Sequence, residues 1–442
     1  MVELDKKDDK KVIELKNTDK LRKLQEQPKY SYSLPFLVNE KTGIIKKNSI
    51  YNIIMILSND KLLKNTFQFN EYTEAVDVMK DIKDLNIEKG QLKDVYISLI
   101  AAYIETQGAY SNILFDDQKI RSAISVYASS HSYNPIKDYF NEALKKWDGK
   151  PRLQNLLPDF LGAEPGYLTL LITRQFLVGA IAKTFNPMTK FDMVLDLVGG
   201  QGVGKTTFLK NLAPLGYYTD QFASFSSKDD FAVMKNAVIV NDDELTASHN
   251  SSFEELKKFV TMQEFEYRKA YGHTAEKFHK KFVMSRTTNE RYYLKDLTGS
   301  RRFMPILADK ANRKKNAVTD MPPEFVQQIW GEAMALYKSG DFSFALTPEE
   351  EVELESKRTK FNYVDAFEDK LADILESDDF RYANFITNDK LADALGLDLL
   401  KNRKAARKLQ SLMLDRFKWS RKVKKIGGKT ARGYARNSQT LH

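Results

Sequence analysis

Residues 193–207 read MVLDLVGGQGVGKTT, and the reading of this stretch decides the fold. Met193 to Val198 is apolar apart from Asp196 and reads as a buried strand. The next residues fit G-x-x-x-x-G-K-[ST], with Gly199, Gly204, Lys205 and Thr206 in the fixed places. Thr207 to Leu212 reads as the start of a helix. Strand, glycine loop and helix in that order make a phosphate cradle. Gly199, Gly200, Gln201, Gly202, Val203 and Gly204 supply backbone N–H groups to phosphate oxygens, and the helix start at Lys205, Thr206 and Thr207 adds its partial positive charge. Lys205 is placed to reach the β- and γ-phosphates, and the Thr206 hydroxyl to ligate Mg²⁺. The expected ligand is a nucleoside triphosphate, ATP, with Mg²⁺.

A glycine loop alone binds phosphate; hydrolysis also needs an acid near the metal and a base for the attacking water. Ala237 to Val240 is a short apolar run followed by Asn241, Asp242, Asp243 and Glu244, the Walker B pattern. Asp243 is assigned to the metal and Glu244 to the water. Because side chains alternate faces along a strand, Asp242 is the competing candidate for the metal. A third strand is expected at Lys281–Ser285, with Arg286, Thr287, Thr288 and Asn289 at its tip. Asn289 is the candidate to hold the water, with Thr287 and Thr288 behind it. Next, Arg301 and Arg302 precede the apolar run Phe303–Leu307 and suit an arginine finger, which in trans requires an oligomer.

Between these parts, Glu254–Met262 reads as a helix. Glu264–Tyr271 and Glu276–Lys281 read as a hairpin carrying Lys269, His273 and Lys277. On the pore side of a ring it would grip a phosphate backbone; on the outside it would be a solvated basic hairpin.

The 442-residue chain has no cysteine, which excludes disulfides, zinc fingers and thiol catalysis together. No apolar run looks long enough to span a membrane, and the first residues, MVELDKKDDKK, are too charged for a signal peptide, so a cytoplasmic protein with no membrane partner is expected. The net charge of +9 is concentrated from Lys401 onward, where fourteen Lys and Arg face Asp415 alone. A basic end on a near-neutral body points to a polyanion, nucleic acid foremost, with a merely solvated tail as the alternative. Asn388–Leu395 and Asn402–Asp415 read as helices, and Trp419–Lys425 and Thr430–Arg436 flank Gly427-Gly428 as a hairpin. Helix, helix, basic hairpin is a winged-helix arrangement, with Arg403, Arg407, Lys408, Lys422, Lys424 and Lys425 as DNA contacts.

Four segments follow: a charged arm over residues 1–30, a mainly helical N-terminal domain over 31–150, an α/β nucleotide-binding domain over 151–345 and a basic winged-helix-like domain over 346–442. In the second, Leu34–Val38 is strand-like, Tyr51–Leu57 and Val95–Ile104 are helical, and the Asp116-Asp117 pair reads as a solvated loop. Asn134-Pro135 starts a helix that Asp148-Gly149 ends, and Tyr167–Thr184 is a second, strongly apolar helix. Phe342–Arg358 is rich in glutamate, is broken by Pro348, and reads as a linker or a lid edge.

The order of these parts resembles the virulence-associated protein E family, P-loop ATPases related to superfamily 3 helicases of phages and mobile genetic islands. Trp147-Asp148-Gly149-Lys150-Pro151-Arg152-Leu153 matches the family's W-D-G-x-P-R-L signature, and the resemblance covers about Asn134 to Ile306. It departs at Asp242, where the family often has an apolar residue, and at Pro187-Met188, where a Pro-Gly pair is usual. The resemblance implies an AAA+-like core, a homo-oligomeric ring, expected as a hexamer, and ATP-driven DNA unwinding in replication of a mobile element. Single-stranded DNA in the ring, duplex origin DNA at the C-terminal domain and host replication proteins are the implied partners. An added role as origin-binding initiator stays open, as do two alternatives: an ATP-switched DNA-binding regulator that does not unwind, and a helicase-primase.

Overall fold

The computed structural model describes residues 12–13, 34–39, 45–106, 114–267, 275–294, 300–362, 366–398 and 401–436. It divides into two units, one of residues 1–289 with 301–354 and one of residues 290–300 with 355–442.

After a short antiparallel strand pair, Val12–Ile13 with Phe36–Leu37, the first unit has α1 (Ile50–Asn59), β1 (Phe67–Asn70), β2 (Ala75–Val78), β3 (Gly90–Gln91), α2 (Asp94–Thr106), α3 (Asp117–Ser129) and β4 (Ser132–Tyr133). Ser49 caps α1, its hydroxyl accepting from Asn52 N at 3.3 Å. The helix buries Ile53, Ile56 and Leu57 against Ile97, Ile100 and Ile104 of α2 and Ile120 and Ile124 of α3. The expectation of a mainly helical segment is incomplete, because a sheet of order β3-β2-β1-β4 accompanies the helices. Its strands have two to four residues, too few for an alternating pattern to show. The Asp116-Asp117 pair is not a loop. Asp116 caps α3, accepting from Gln118 N at 2.8 Å, and Asp117 lies in the first turn, where the helix end is positive.

The chain continues through α4 (Pro135–Lys146), α5 (Leu153–Leu161), α6 (Tyr167–Phe185), β5 (Val194–Val198), α7 (Lys205–Leu212), β6 (Tyr218–Thr219), α8 (Lys228–Met234) and β7 (Ile239–Asp242). Then come α9 (Thr246–Asn250), α10 (Phe253–Thr261), β8 (Glu264–Tyr267), β9 (Glu276–His279), β10 (Val283–Thr288), β11 (Phe303–Leu307), α11 (Pro323–Ser339) and α12 (Pro348–Thr359). Five strands form a parallel sheet of order β11-β5-β10-β7-β6. The glycine-loop strand therefore has neighbours on both sides, and the chain crosses over in both directions from it. The core joins Leu195, Leu197, Ile239, Val283 and Ile306 of the sheet to Phe140 of α4, Leu157 of α5, Ile181 of α6 and Trp330 of α11. By length and composition α6 is apolar enough to cross a membrane, contrary to the sequence expectation, but 72% of its most apolar window is buried in this core.

Asp196, the polar exception in β5, is explained by its neighbour in register, Arg286 of β10. The pair is bidentate, with Nε to Oδ1 at 2.8 Å and Nη2 to Oδ2 at 2.6 Å, and is almost wholly buried. The Arg286 guanidinium also lies 4.0 Å from the Phe303 ring centroid. The strand β10 therefore reaches Thr288, and Arg286 lies inside the sheet rather than at its tip.

A turn at residues 71–74 binds the beginnings of two sheet strands. The Tyr72 hydroxyl donates to Ala237 O at 2.8 Å and lies 3.3 Å from Lys281 O. Lys281 Nζ in turn donates to Glu71 O, Tyr72 O and Glu74 Oε1 at 3.1, 3.0 and 2.9 Å. Further on, Pro348 starts α12 rather than breaking a linker; at the first helical position its missing N–H costs nothing.

The second unit contains α13 (Ala366–Glu376), β12 (Phe385–Thr387), α14 (Asn388–Leu395), α15 (Arg403–Ser411), β13 (Trp419–Ile426) and β14 (Lys429–Arg436). The three strands are ordered β12-β14-β13. Leu371, Ile386, Leu391, Leu409, Met413, Trp419 and Tyr434 form the core. After Ser411 the α15 helix continues as one π-helical turn, Leu412–Arg416. The Gly427-Gly428 pair closes the hairpin with φ of 56° and 81°, as a primed two-residue turn requires.

Candidate active site

The site lies at the C-terminal ends of β5, β7 and β10. The five residues of β5 are buried, the loop 199–204 follows, and α7 starts at Lys205. Gly199 is required by packing: a Cβ there would lie 2.2 Å from Ala308 O. Gly202 and Gly204 adopt φ of 79° and 97°, Gly200 and Gln201 are exposed, and Val203 is buried beneath the loop. Thr206 and Thr207 are half-buried in the first turn of α7.

Lys205 is buried. Its Nζ donates to Gly199 O at 2.7 Å, Gly200 O at 3.2 Å and Asn289 Oδ1 at 2.9 Å. Burial pushes its pKa down, while Glu244 and Asp243 act in the opposite sense. The other side of Asn289 serves Glu244: Nδ2 donates to Oε1 at 2.9 Å and lies 3.1 Å from Oε2. Asn289 thus stands between the ammonium and the carboxylate.

The two aspartates part ways. Asp243 Oδ1 accepts from Thr206 Oγ1 at 2.7 Å, Thr287 Oγ1 at 2.5 Å and Asn241 Nδ2 at 3.3 Å. Asp242 does not join Thr206. It turns back to the start of α9, accepting from Ala247 N at 2.8 Å, Ser248 N at 3.0 Å and Ser248 Oγ at 2.5 Å. Burial raises its pKa, against these hydrogen bonds and the nearby Arg286. The acid beside Thr206 is therefore Asp243. A hydroxyl and a carboxylate are hard oxygen donors suited to Mg²⁺. Among the described residues no group of three or more His, Asp or Glu is gathered to hold a metal by protein alone.

After β7 the backbone turns through two consecutive left-handed residues, Glu244 (φ 52°) and Leu245 (φ 55°). Neither is glycine, and each such residue costs on the order of 1–2 kcal/mol. The turn buries Leu245 in the core and leaves Glu244 exposed past the carboxyl end of β7, facing Asn289.

The two finger candidates differ. Arg301 is exposed, whereas Arg302 is half-buried with Nε 3.7 Å from Asp192 Oδ2. The sequence motifs do not include Arg313, which the fold brings to the loop. It lies after β11, and its Nη1 donates to Val203 O at 2.9 Å.

Of the basic hairpin, β8 and β9 pair antiparallel and Lys277 is exposed on β9, while Lys269 and His273 lie outside the described residues. At its foot Lys280 is wholly buried and donates to Phe259 O at 3.2 Å and Val260 O at 2.7 Å, the carbonyls ending α10. Burial lowers its pKa to about 7, with Lys183 pushing the same way and Asp192 opposing. In the second unit Arg403 and Arg407 are exposed on α15, and Lys422, Lys424 and Lys425 are exposed on β13. Lys408 is half-buried, with Nζ 5.4 Å from the Phe367 ring centroid, and Lys424 Nζ lies 5.0 Å from that of Phe385.

Among curated proteins the chain has no match. Solved structures similar to it include the apo C-terminal region (305–718) of NrS-1, at 12% identity and a TM-score of 0.40, covering 84% of this chain and 95% of that one. An A form of the same region matches at 14% identity and a TM-score of 0.40, covering 87% and 98%. The family model described as the virulence-associated protein E-like domain matches residues 141–363, which contain the glycine loop, the Asp243–Thr206 pair and the Asn289 link. Matching half of the chain across all of these parts, it establishes that this protein belongs to the virulence-associated protein E-like family.

Proposed function

We propose that the chain is an ATP-driven DNA helicase serving replication of a mobile genetic element, built on a P-loop AAA+-like core with a winged-helix-like C-terminal unit. The observation that carries the proposal is the joining of Lys205, Asn289 and Glu244, and of Thr206 and Asp243, at the ends of neighbouring parallel strands. Ligand sites in open parallel sheets lie at such carboxyl ends, where the crossovers diverge.

In this reading the loop N–H groups and Lys205 bind the β- and γ-phosphates of ATP. Thr206 and Asp243 would hold Mg²⁺, which when bound supplies positive charge to the phosphate oxygens. Glu244 takes a proton from the attacking water, and Asn289 orients both the carboxylate and that water. Arg301, exposed and on a turn, is the better finger toward a neighbouring subunit's γ-phosphate, while Arg302 is half-buried beside Asp192. This arrangement requires a homo-oligomeric ring, for which a hexamer is proposed. The hairpin residue Lys277 and the basic face of α15 and β13 supply phosphate contacts to DNA.

The test is ATP-dependent unwinding of a forked duplex by the purified protein, with Lys205→Ala as control. Unwinding by the wild type alone supports a motor. Hydrolysis without unwinding favours the ATP-switched regulator, and equal hydrolysis by Lys205→Ala removes the glycine loop from the mechanism.

A further inference from the structure

We infer that Arg313 is a positioning residue of the nucleotide site, one that fixes the orientation of the Val203–Gly204 peptide and so aims an N–H of the phosphate cradle. The inference rests on the nucleotide reading of the glycine loop and adds to it a residue outside every motif read from the sequence.

The peptide group is planar and trans, so its C=O and N–H point in opposite directions. The C=O here belongs to Val203 and the N–H to Gly204. Arg313 Nη1 donates to Val203 O at 2.9 Å. With the carbonyl held outward by a guanidinium, the Gly204 N–H is held pointing the other way. Gly204 has φ of 97°, a conformation from which a glycine peptide reorients easily. The cation removes that freedom. It also polarises the peptide, which strengthens the opposite N–H as a donor.

The segment carrying Arg313 is itself firmly seated. Ala308 N donates to Val198 O at 2.7 Å, at the end of the glycine-loop strand. Asp309 N donates to Leu161 O at 2.8 Å, and Lys314 N and Lys315 N both donate to Asp159 O at 2.9 Å. The approach to the end of α5 is so close that a Cβ on Gly162 would lie 2.0 Å from Asp309 O and 2.8 Å from Arg313 N.

The other end of α5 is where the W-D-G-K-P-R-L stretch lies. Asp148 grips Arg152 through two bonds of 2.7 and 2.8 Å. Glu332 Oε2 accepts from Arg152 N at 2.5 Å and Leu153 N at 3.1 Å, satisfying the first amides of the helix. The place of the stretch in the fold is as the footing of α5, which seats the loop, which presents Arg313 to the cradle.

The decisive experiment titrates the full chain and its variants with N-methylanthraniloyl ATP and ADP, and measures KM and kcat for ATP hydrolysis and the thermal midpoint of each. Arg313→Ala is expected to weaken both nucleotides by the same factor, about tenfold, because the peptide it aims serves a phosphate both share. KM should rise with kcat nearly unchanged. Arg313→Gln keeps an N–H donor without the charge and should recover part of the loss. Unchanged affinity in Arg313→Ala, with Lys205→Ala unable to bind, overturns the role of Arg313 and leaves the nucleotide site standing. A loss accompanied by a lowered thermal midpoint and no recovery in Arg313→Gln also overturns it, as the residue is then only structural. A wild type that binds neither nucleotide overturns the nucleotide reading and this inference with it.

Discussion

Charge is handled in opposite ways at the tips of the central sheet and along the C-terminal hairpin. At the sheet, Lys205, Glu244 and Asn289 form one hydrogen-bonded chain, Asp243 bonds Thr206, and Asp242 bonds the start of α9. On β13, Lys422 and Lys424 stand exposed on one face and Lys425 on the other. The first arrangement fixes geometry before any ligand arrives, as chemistry on a bound phosphate needs. The second lets long cations follow a polyanion, which suits binding that depends on salt rather than on shape. One site is set by position, the other by charge density.

The contrast can be broken most visibly at Glu244. Glu244→Gln keeps an oxygen for Asn289 and should still bind nucleotide, but hydrolysis should fall by about 10²–10⁴-fold. Turnover close to wild type would move the base elsewhere. Next is Asp196→Ala, which strands the buried Arg286 and should cost about 3–5 kcal/mol in a urea unfolding curve. A shift under about 1 kcal/mol, the range of exposed ion pairs, would mean the pair is not desolvated as the fold requires. Replacing Lys422, Lys424 and Lys425 with Ala should leave stability within about 0.5 kcal/mol. It should flatten the dependence of log K for DNA on log salt by about 0.9 for each phosphate that is no longer neutralised. An unaltered slope would return this hairpin to a solvated surface.

A pH effect separates a buried lysine from these exposed ones. The pKa of Lys280 is lowered to about 7 from an ordinary 10.5, and that of Lys183 to about 8, both by burial. Between the folded and unfolded values the unfolded chain holds more protons. Stability should therefore rise as pH goes from about 7 to 9, and the cost of charging these groups should be fully present below 7. Lys280→Met should flatten that rise. A wild-type urea midpoint that is level or falling over the same range would contradict the burial of these amines.

Legibility in the sequence follows the same division. Lys205, Thr206, Asp243 and Asn289 are legible because each stands in a short, contiguous pattern whose strand or helix fixes its direction. The choice between Asp242 and Asp243 stays open until the strand faces are known, since a single residue of offset reverses the side. Arg313 is invisible there: it reaches the loop only after β11 and the following turn fold back, and its neighbours Asn312 and Lys314 carry no periodic signal. Arg286 belongs inside the sheet because β10 runs three residues past the expected Ser285. Asp116 and Pro348 have the chemistry of helix starts, but the charge around them makes the same residues look like a loop and a breaker.

The Tyr72 hydroxyl has a mechanical consequence for these strands. Its one proton lies between the carbonyl of Ala237, shortly before β7, and that of Lys281, shortly before β10. Both strands are thereby pegged at the same end, opposite the end that carries Asp243 and Asn289. Two beams pinned at a common root do not slide past each other; their free tips splay or close like the tines of a tuning fork. Whatever opens or shuts the gap between the carboxylate tip and the amide tip must do so by bending, with the tyrosine as the stem.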